Sequence, residues 1–220
     1  MDRSVDAQIN DIKKIVLNMG ASVERAVELA VEGLQGRKPE IFLEVHKIEE
    51  SINEAHVHLD NSCLKFLAQQ GPVAKDLRYI FSLIKINSDL ERMGDQAVNM
   101  AHTGKDYLQR LELPIPVEIA EMTKIVRQMV RESLDSFVRE DSEAAQKILL
   151  MDDEVDRRKD EVFRKMTAHV RSNPDSVESA LDLILVARNL ERLGDHATNI
   201  AEDVIFVSTG EDVRHGGKFS

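Results

Sequence analysis

The stretch that decides the fold occurs twice in the chain, first as Leu90-Glu91-Arg92-Met93-Gly94-Asp95-Gln96-Ala97-Val98-Asn99-Met100-Ala101 and again as Leu190-Glu191-Arg192-Leu193-Gly194-Asp195-His196-Ala197-Thr198-Asn199-Ile200-Ala201. Eight of the twelve positions are identical at an offset of 100 residues, which chance does not explain. A weaker match aligns residues 49–53 with residues 152–156, at an offset of 103. We therefore interpret the chain as a tandem duplication.

Six stretches around these repeats carry apolar residues at every third or fourth position, which is the pattern of amphipathic helices. The pattern predicts helices at about residues 5–34, 40–68, 73–111, 117–138, 143–171 and 177–208. Pro114 and Pro116 mark the clearest linker, with three helices on each side. Long helices joined by short turns favour antiparallel bundles. The sequence thus predicts an all-α fold of two tandem, pseudo-symmetric three-helix bundles, over residues 1–113 and 114–220.

The composition supports a helical protein and excludes several functions. Only 10 glycines and 5 prolines occur in 220 residues, too few for a turn-rich all-β fold. The 29 basic and 40 acidic side chains give a net charge of −11, which disfavours binding to nucleic acid and to anionic membranes. The chain has no apolar run long enough to span a bilayer, and the single Cys63 cannot form an internal disulfide. We expect a cytoplasmic protein without direct membrane insertion.

The repeated segment carries a pair of carboxylates in each copy. Glu91 and Asp95 are four residues apart and share one face of a helix, as do Glu191 and Asp195. Their neighbours on that face are mostly apolar or small, so the acids lie at the margin of a core, where something positive must neutralise them. The second helix of each half adds further acids on a comparable stripe. The candidate metal ligands are Glu91, Asp95, Glu191, Asp195, Asp152, Asp156, Glu49 and Asp60.

These acids predict a metal site if the second and third helices of each half pack against each other. Carboxylates would then converge across the seam between the helices, as they do in metal sites of other helix bundles. Oxygen ligands of this kind suit Mg, Ca, Mn or iron, and zinc with more difficulty.

Two features leave alternatives open. The carboxylates could simply form ion pairs at a helix surface with Arg92, Arg78 or Lys85, as i,i+4 acids often do. Gly94 and Gly194 lower helix propensity, so each indicates close approach of a backbone or a bound ion, with ordinary packing as the alternative.

An enzyme has little support in this sequence. The chain contains no Walker-type loop, no GxGxxG or GxSxG motif and no convincing pair of nucleophile and base. A carboxylate-bridged metalloenzyme would need the Glu-x-x-His pairing of ferritin-like bundles, which neither Glu91 nor Glu191 begins. A purely structural helical scaffold without metal is the more serious alternative.

Three groups of residues together resemble a known family. They are residues 70–78 (Gln-Gly-Pro-Val-Ala-Lys-Asp-Leu-Arg), the two Leu-Glu-Arg-x-Gly-Asp motifs and the closing residues 213–217 (Val-Arg-His-Gly-Gly). The chain is similar in these segments, and in its duplication, to the PhoU family of bacterial phosphate-uptake regulators. The resemblance implies two similar three-helix bundles and a cytoplasmic regulator that is not an enzyme.

The resemblance also implies partners. Proteins of this family act with the ATPase subunit of the phosphate ABC transporter and with the sensor histidine kinase of the phosphate-starvation response. They repress that response when phosphate is plentiful, and they are often homodimers.

Several family members bind iron or zinc clusters through E(D)xxxD motifs, and the resemblance implies iron or zinc here, with Mg, Mn or Ca as further candidates. The pairs Glu91 with Asp95, Glu191 with Asp195, and Asp152 with Asp156 match that motif. The pair Glu49 with Asn53 departs from the motif, because an amide replaces the second acid. His56 stands where relatives often have a carboxylate. The first-half site is therefore expected to hold fewer ions than the second, or a softer one.

Overall fold

The computed structural model of the protein describes residues 3–213, which form six long α-helices. Short 3-10 turns at Pro39–Ile41 and Pro174–Ser176 precede the second and the sixth helix. The helices are α1 (Arg3–Gln35), α2 (Phe42–Gln70), α3 (Ala74–Tyr107), α4 (Val117–Arg139), α5 (Ser142–Ser172) and α6 (Val177–Thr209). No strand occurs within these residues, and the predicted all-α fold of two tandem bundles is confirmed. Residues 214–217 of the closing motif lie outside the described residues.

Local chemistry explains where several helices begin and end. Gly71 (φ 53°) and Gly210 (φ 81°) adopt the left-handed conformation that terminates α2 and α6 without a steric cost. At the start of α5, the Asp141 carboxylate accepts a 3.0 Å hydrogen bond from the backbone N–H of Ala144, which caps the first turn.

Each half of the chain is a three-helix bundle. In the first half α2 and α3 run antiparallel, since Phe42 packs on Gly104 while Ile52 packs on Gly94. Phe42 is almost completely buried because its ring lies between the glycines Gly33 of α1 and Gly104 of α3. A methyl group at either glycine would come within 2.7 Å of the ring, so the two glycines form the slot that holds it.

The two bundles are joined along two antiparallel helix pairs, α1 with α4 and α3 with α6. Between α1 and α4, Glu24 pairs with Arg131, and one turn later Glu28 pairs with Arg127. The buried apolar side chains of both halves form one continuous core, which also contains the fully buried Cys63. The division at residues 113 and 114 stays a prediction.

The linker between the bundles is fastened to both α3 and α6. The Tyr107 hydroxyl donates a 2.6 Å hydrogen bond to the carbonyl of Leu113. Two residues earlier in the linker, the Ser179 hydroxyl of α6 donates a 2.7 Å hydrogen bond to the carbonyl of Leu111. Arg110 forms an ion pair of 2.9 Å with the buried Asp182. The linker therefore holds the start of α6 against the end of α3.

Among the described residues, none of the helices has both the length and the apolar character needed to cross a membrane.

Candidate functional site

The two copies of the repeated segment meet where α3 and α6 cross. Lys85 of α3 pairs with the buried Asp203 of α6. One turn farther along α3, Asp89 Oδ1 lies 2.8 Å from Nδ1 of His196. Beside these pairs lies a cleft of about 540 Å³, here called the central cleft. It is lined by Glu91, Arg92, Asp95, Gln96, Arg192, Asp195 and His196.

The duplication extends from sequence to solvent exposure. Residues 90–101 and 190–201 fall in the same class, buried, half-buried or exposed, at every one of their twelve positions. In both copies the glutamate is half-buried and the aspartate exposed, while the glycine between them is buried. The two motifs therefore occupy equivalent places in the two bundles, as their sequence identity indicates.

Four carboxylates from two helices converge in the second bundle, and we call them the second-half acidic cluster. They are Asp152 and Asp156 of α5 and Glu191 and Asp195 of α6. Lys159 Nζ lies between the helices, 2.8 Å from Asp156 Oδ1 and 3.1 Å from Glu191 Oε1. Within residues 3–213, no other cation lies within 4.0 Å of the cluster, and Asp152 and Asp195 have no ion pair.

The electrostatics of this cluster follow from burial and like charge. Burial, followed by the nearby charges of Asp195, Asp156 and Glu191, raises the pKa of Asp152 to about 6. Although part of Asp195 is exposed, partial desolvation of its carboxyl group, followed by the charge of Glu191, also raises the pKa of Asp195. Hydrogen bonds to Asp156 and Glu191 raise the pKa of Lys159 well above its ordinary value. The cluster therefore carries more negative charge than its single ammonium neutralises.

Gly194 shapes this site. A Cβ atom at Gly194 would lie 3.2 Å from Asp152 Oδ1, closer than most Cβ contacts. The glycine therefore lets a carboxylate of α5 lie directly against the backbone of α6. At the equivalent Gly94 the nearest atoms belong to the Ile52 side chain, at 3.3 Å. Gly94 thus serves ordinary packing, and neither glycine contacts another backbone closely.

In the first bundle, side-chain amides donate hydrogen bonds to two of the predicted ligand carboxylates. Asn53 Nδ2 donates a 2.6 Å hydrogen bond to Glu49 Oε1. The buried Asn87 donates a 2.8 Å hydrogen bond to Asp60 Oδ1, and His56 Nε2 lies 3.7 Å from Asp60 Oδ2. Asp60 therefore contacts α3 at Asn87, about eleven residues from Glu49 along α2, so these two predicted ligands do not share one site.

The donor set of the second half fits a cation better than that of the first half. The cluster offers four carboxylates, of which Asp152 lies against Gly194, and such oxygen donors suit a hard ion such as Mg, Ca or Mn. Within the part of the chain that the structure describes, however, no three His, Cys, Asp or Glu side chains are already arranged to hold a metal ion. In the second half, Lys159 occupies the space between two of the carboxylates.

Among the described residues, the alternative that Glu91 and Asp95 form surface ion pairs is not what the structure shows, although Glu191 of the second half does pair with Lys159. Within residues 3–213, neither Glu91 nor Asp95 has an ion pair within 4.0 Å, and Lys85 pairs with Asp203 instead. The reason is that Lys85 points across the seam to α6, where a buried carboxylate requires a cation more strongly than an exposed one does. Both motif acids of the first half face the central cleft.

Sequence reasoning missed the residues that organise the sites from within. Lys159 was missed, although it is the equivalent of His56 at the offset of 103, and His56 had been noted at the first-half site. Asn87, opposite Asp60, has the small Ala187 as its counterpart in the second half. The pairing of Asp89 with His196 has no signal in either copy of the repeat, because it joins one bundle to the other.

A family model described as "PhoU domain" matches the chain twice, at residues 16–103 and 119–204. The phosphate-specific transport system accessory protein PhoU homolog of Pseudomonas aeruginosa is 35% identical over 218 residues, which cover 99% of this chain and 90% of that protein. The homolog of Aquifex aeolicus is 36% identical over 208 residues, which cover 94% of each chain.

Solved structures agree. The crystal structure of PhoU from Pseudomonas aeruginosa superposes with a TM-score of 0.89 at 35% identity, covering 94% of this chain and 99% of that one. The phosphate transport system regulatory protein PhoU from Streptococcus pneumoniae, at 23% identity and a TM-score of 0.86, is alike in fold. The matches extend over both bundles and include both copies of the repeated motif. The chain therefore belongs to the PhoU family.

Proposed function

We propose that this protein is a cytoplasmic regulator of phosphate uptake and of phosphate-starvation signalling. The observation that carries the proposal is the likeness over 99% of the chain to an accessory protein of a phosphate-specific transport system. As an adaptor, the protein would dock on the ATPase subunit of the phosphate ABC transporter and on the sensor histidine kinase. It would act by binding and without catalysis.

Such an adaptor would inhibit signalling by shifting the kinase population from its active to its inactive state. Docking on the phosphate-loaded transporter would stabilise the state of the kinase that does not phosphorylate its response regulator, because the complex favours that state over the active one. The net charge of −11 favours association with basic partner surfaces. We include a homodimer in the proposal as the active form.

Deleting the gene in its native host tests the regulatory proposal. We expect a phosphate-starvation reporter to be expressed constitutively in high phosphate, and the plasmid-borne gene to restore repression. The reporter would be measured in high and in low phosphate. A strain that also lacks the kinase gene is the control, because it shows whether the reporter signal depends on the kinase. Normal repression in high phosphate without the protein would contradict the proposal.

We further propose that the second-half acidic cluster binds a divalent or trivalent metal, with iron or zinc as the candidates from the family and Mg, Mn or Ca from the oxygen donors. Asp152, Asp156, Glu191 and Asp195 would hold it, and Glu91 and Asp95 would be the counterparts in the first half. When bound, the metal would supply a fixed positive charge that links α5 to α6. Glu49 and Asp60 remain secondary candidates because amides already hold them.

Metal content per chain, measured by elemental mass spectrometry on untagged protein, tests this second proposal. We expect the double variant Glu191→Gln/Asp195→Asn to lose metal that the wild type retains, since two of the four carboxylates disappear. The matched control is Glu50→Gln/Glu54→Gln, an exposed i,i+4 pair on α2. Metal lost equally from both variants, or absent from all three proteins, would favour the purely structural scaffold.

A further inference from the structure

The position of Lys159 in the second-half acidic cluster is peculiar to this bundle. The offset of 103 that aligns Asn53 with Asp156 also aligns His56 with Lys159. The first bundle therefore has an imidazole where the second has an ammonium on a long and flexible side chain. This difference is set in the sequence and does not depend on any bound ligand.

The ammonium of Lys159 is held where an ion would bind. It contacts one carboxylate of α5, at 2.8 Å, and one of α6, at 3.1 Å, so it bridges the same two helices that a metal would link. The side chain is 29% exposed, so the ammonium can leave the cluster for water without unfolding either helix. Asp152 and Asp195 flank the bridge and have no ion pair among the described residues.

We propose that Lys159 is an internal cation that occupies the second-half acidic cluster until a metal ion displaces it, and that it thereby sets the metal concentration at which the cluster fills. This inference rests on the metal-binding part of the proposed function. An ammonium has three donors and no lone pair to offer a metal, and two cations that occupy the same space between the carboxylates repel each other. The ion and the ammonium therefore compete.

The competition has a direct consequence for affinity. A metal that enters the wild-type cluster must break two ammonium–carboxylate contacts, whereas in a variant without the ammonium it breaks none. Exposed or half-exposed contacts of this kind are individually weak, so together they account for about a tenfold change in the dissociation constant. The lysine also shields the carboxylates from one another when metal is absent.

The test uses the full chain, stripped of metal, as the wild type and as Lys159→Met. Mn²⁺ is the probe because the cluster offers only oxygen donors and because free Mn²⁺ is counted directly by electron paramagnetic resonance. We expect Lys159→Met to bind Mn²⁺ about tenfold more tightly than the wild type. Without metal, the same variant should melt at a lower temperature than the wild type, because its four carboxylates lack a counter-charge.

Three further variants make the result specific. Lys159→Arg keeps the charge and should retain wild-type affinity, and Lys159→Gln removes the charge without adding an apolar end, so it should behave as Lys159→Met does. Lys147→Met, an exposed lysine of the same helix, should change neither quantity. Equal or weaker Mn²⁺ binding by both Lys159→Met and Lys159→Gln would overturn the inference, as would the absence of binding by every variant. The gene-deletion assay is read without metal titration, so failure here leaves the regulatory proposal standing.

Discussion

Replacing Phe42 by alanine is expected to lower the free energy of unfolding by about 3–5 kcal/mol, which is the usual range for a fully buried aromatic side chain. Phe42 is 3% exposed, and its slot is bounded by two glycines that have no side chains to move into the space. The cavity therefore cannot collapse easily. Urea unfolding with linear extrapolation would measure the loss.

The control for Phe42→Ala is Phe163→Ala on α5. That phenylalanine is 54% exposed, so its removal should change the free energy of unfolding only slightly. If Phe42→Ala were as mild as Phe163→Ala, the slot between Gly33 and Gly104 would not be a well-packed part of the core.

Replacing Arg110 by methionine is expected to cost about 3 kcal/mol of stability near neutral pH, because it leaves the Asp182 carboxylate buried without its cation. Asp182 has a side chain that is 7% exposed, and within residues 3–213 Arg110 is its one ion-pair partner. The same arginine also donates to the carbonyl of Glu178, so the linker loses its hold on the start of α6. Thermal or chemical unfolding would report the change.

The loss in Arg110→Met should depend on pH in a defined direction. Burial raises the pKa of Asp182 and the charge of Arg110 lowers it, so without Arg110 the pKa rises further. A carboxyl group whose pKa is higher in the folded than in the unfolded state loses stability as the pH rises through the folded value. The variant should therefore be closest to the wild type in mild acid and farthest from it above neutral pH.

Arg188→Met is the matched control. Because Arg188 is exposed on α6, its replacement should change the free energy of unfolding little at any pH. A pH-independent loss in Arg110→Met would mean that the packing of the arginine stem, rather than the charge on Asp182, is what the linker depends on.

The helices were predictable because their signal is local. The three- and four-residue spacing of apolar residues depends on one helix at a time, and the predicted bounds lie within a few residues of those observed, as for α4 and α6. The duplication was visible for the same reason, since Glu91 and Glu191 are compared along a single chain. Neither inference requires knowledge of how one helix packs on another.

The chemistry between helices was less predictable. The i,i+4 acids indicated where the second-half acidic cluster would form, but the bridge made by Lys159 depends on the rotation of α5 relative to α6, which sequence spacing does not determine. The partner of Asp60 was missed likewise, because Asn87 lies on another helix. The ion pair between Lys85 and Asp203 joins the two bundles. Aligning one repeat with the other cannot reveal a contact that forms between them.

The covalent joining of the two bundles has an evolutionary consequence. If each bundle were a separate chain in a symmetric pair, every substitution would appear on both sides at once, and the acidic sites would stay identical. In the fused chain each side can change alone, and this chain has His56 on one side and Lys159 at the equivalent position on the other. One molecule can therefore carry two unequal acidic sites, which a symmetric pair of identical chains could not do.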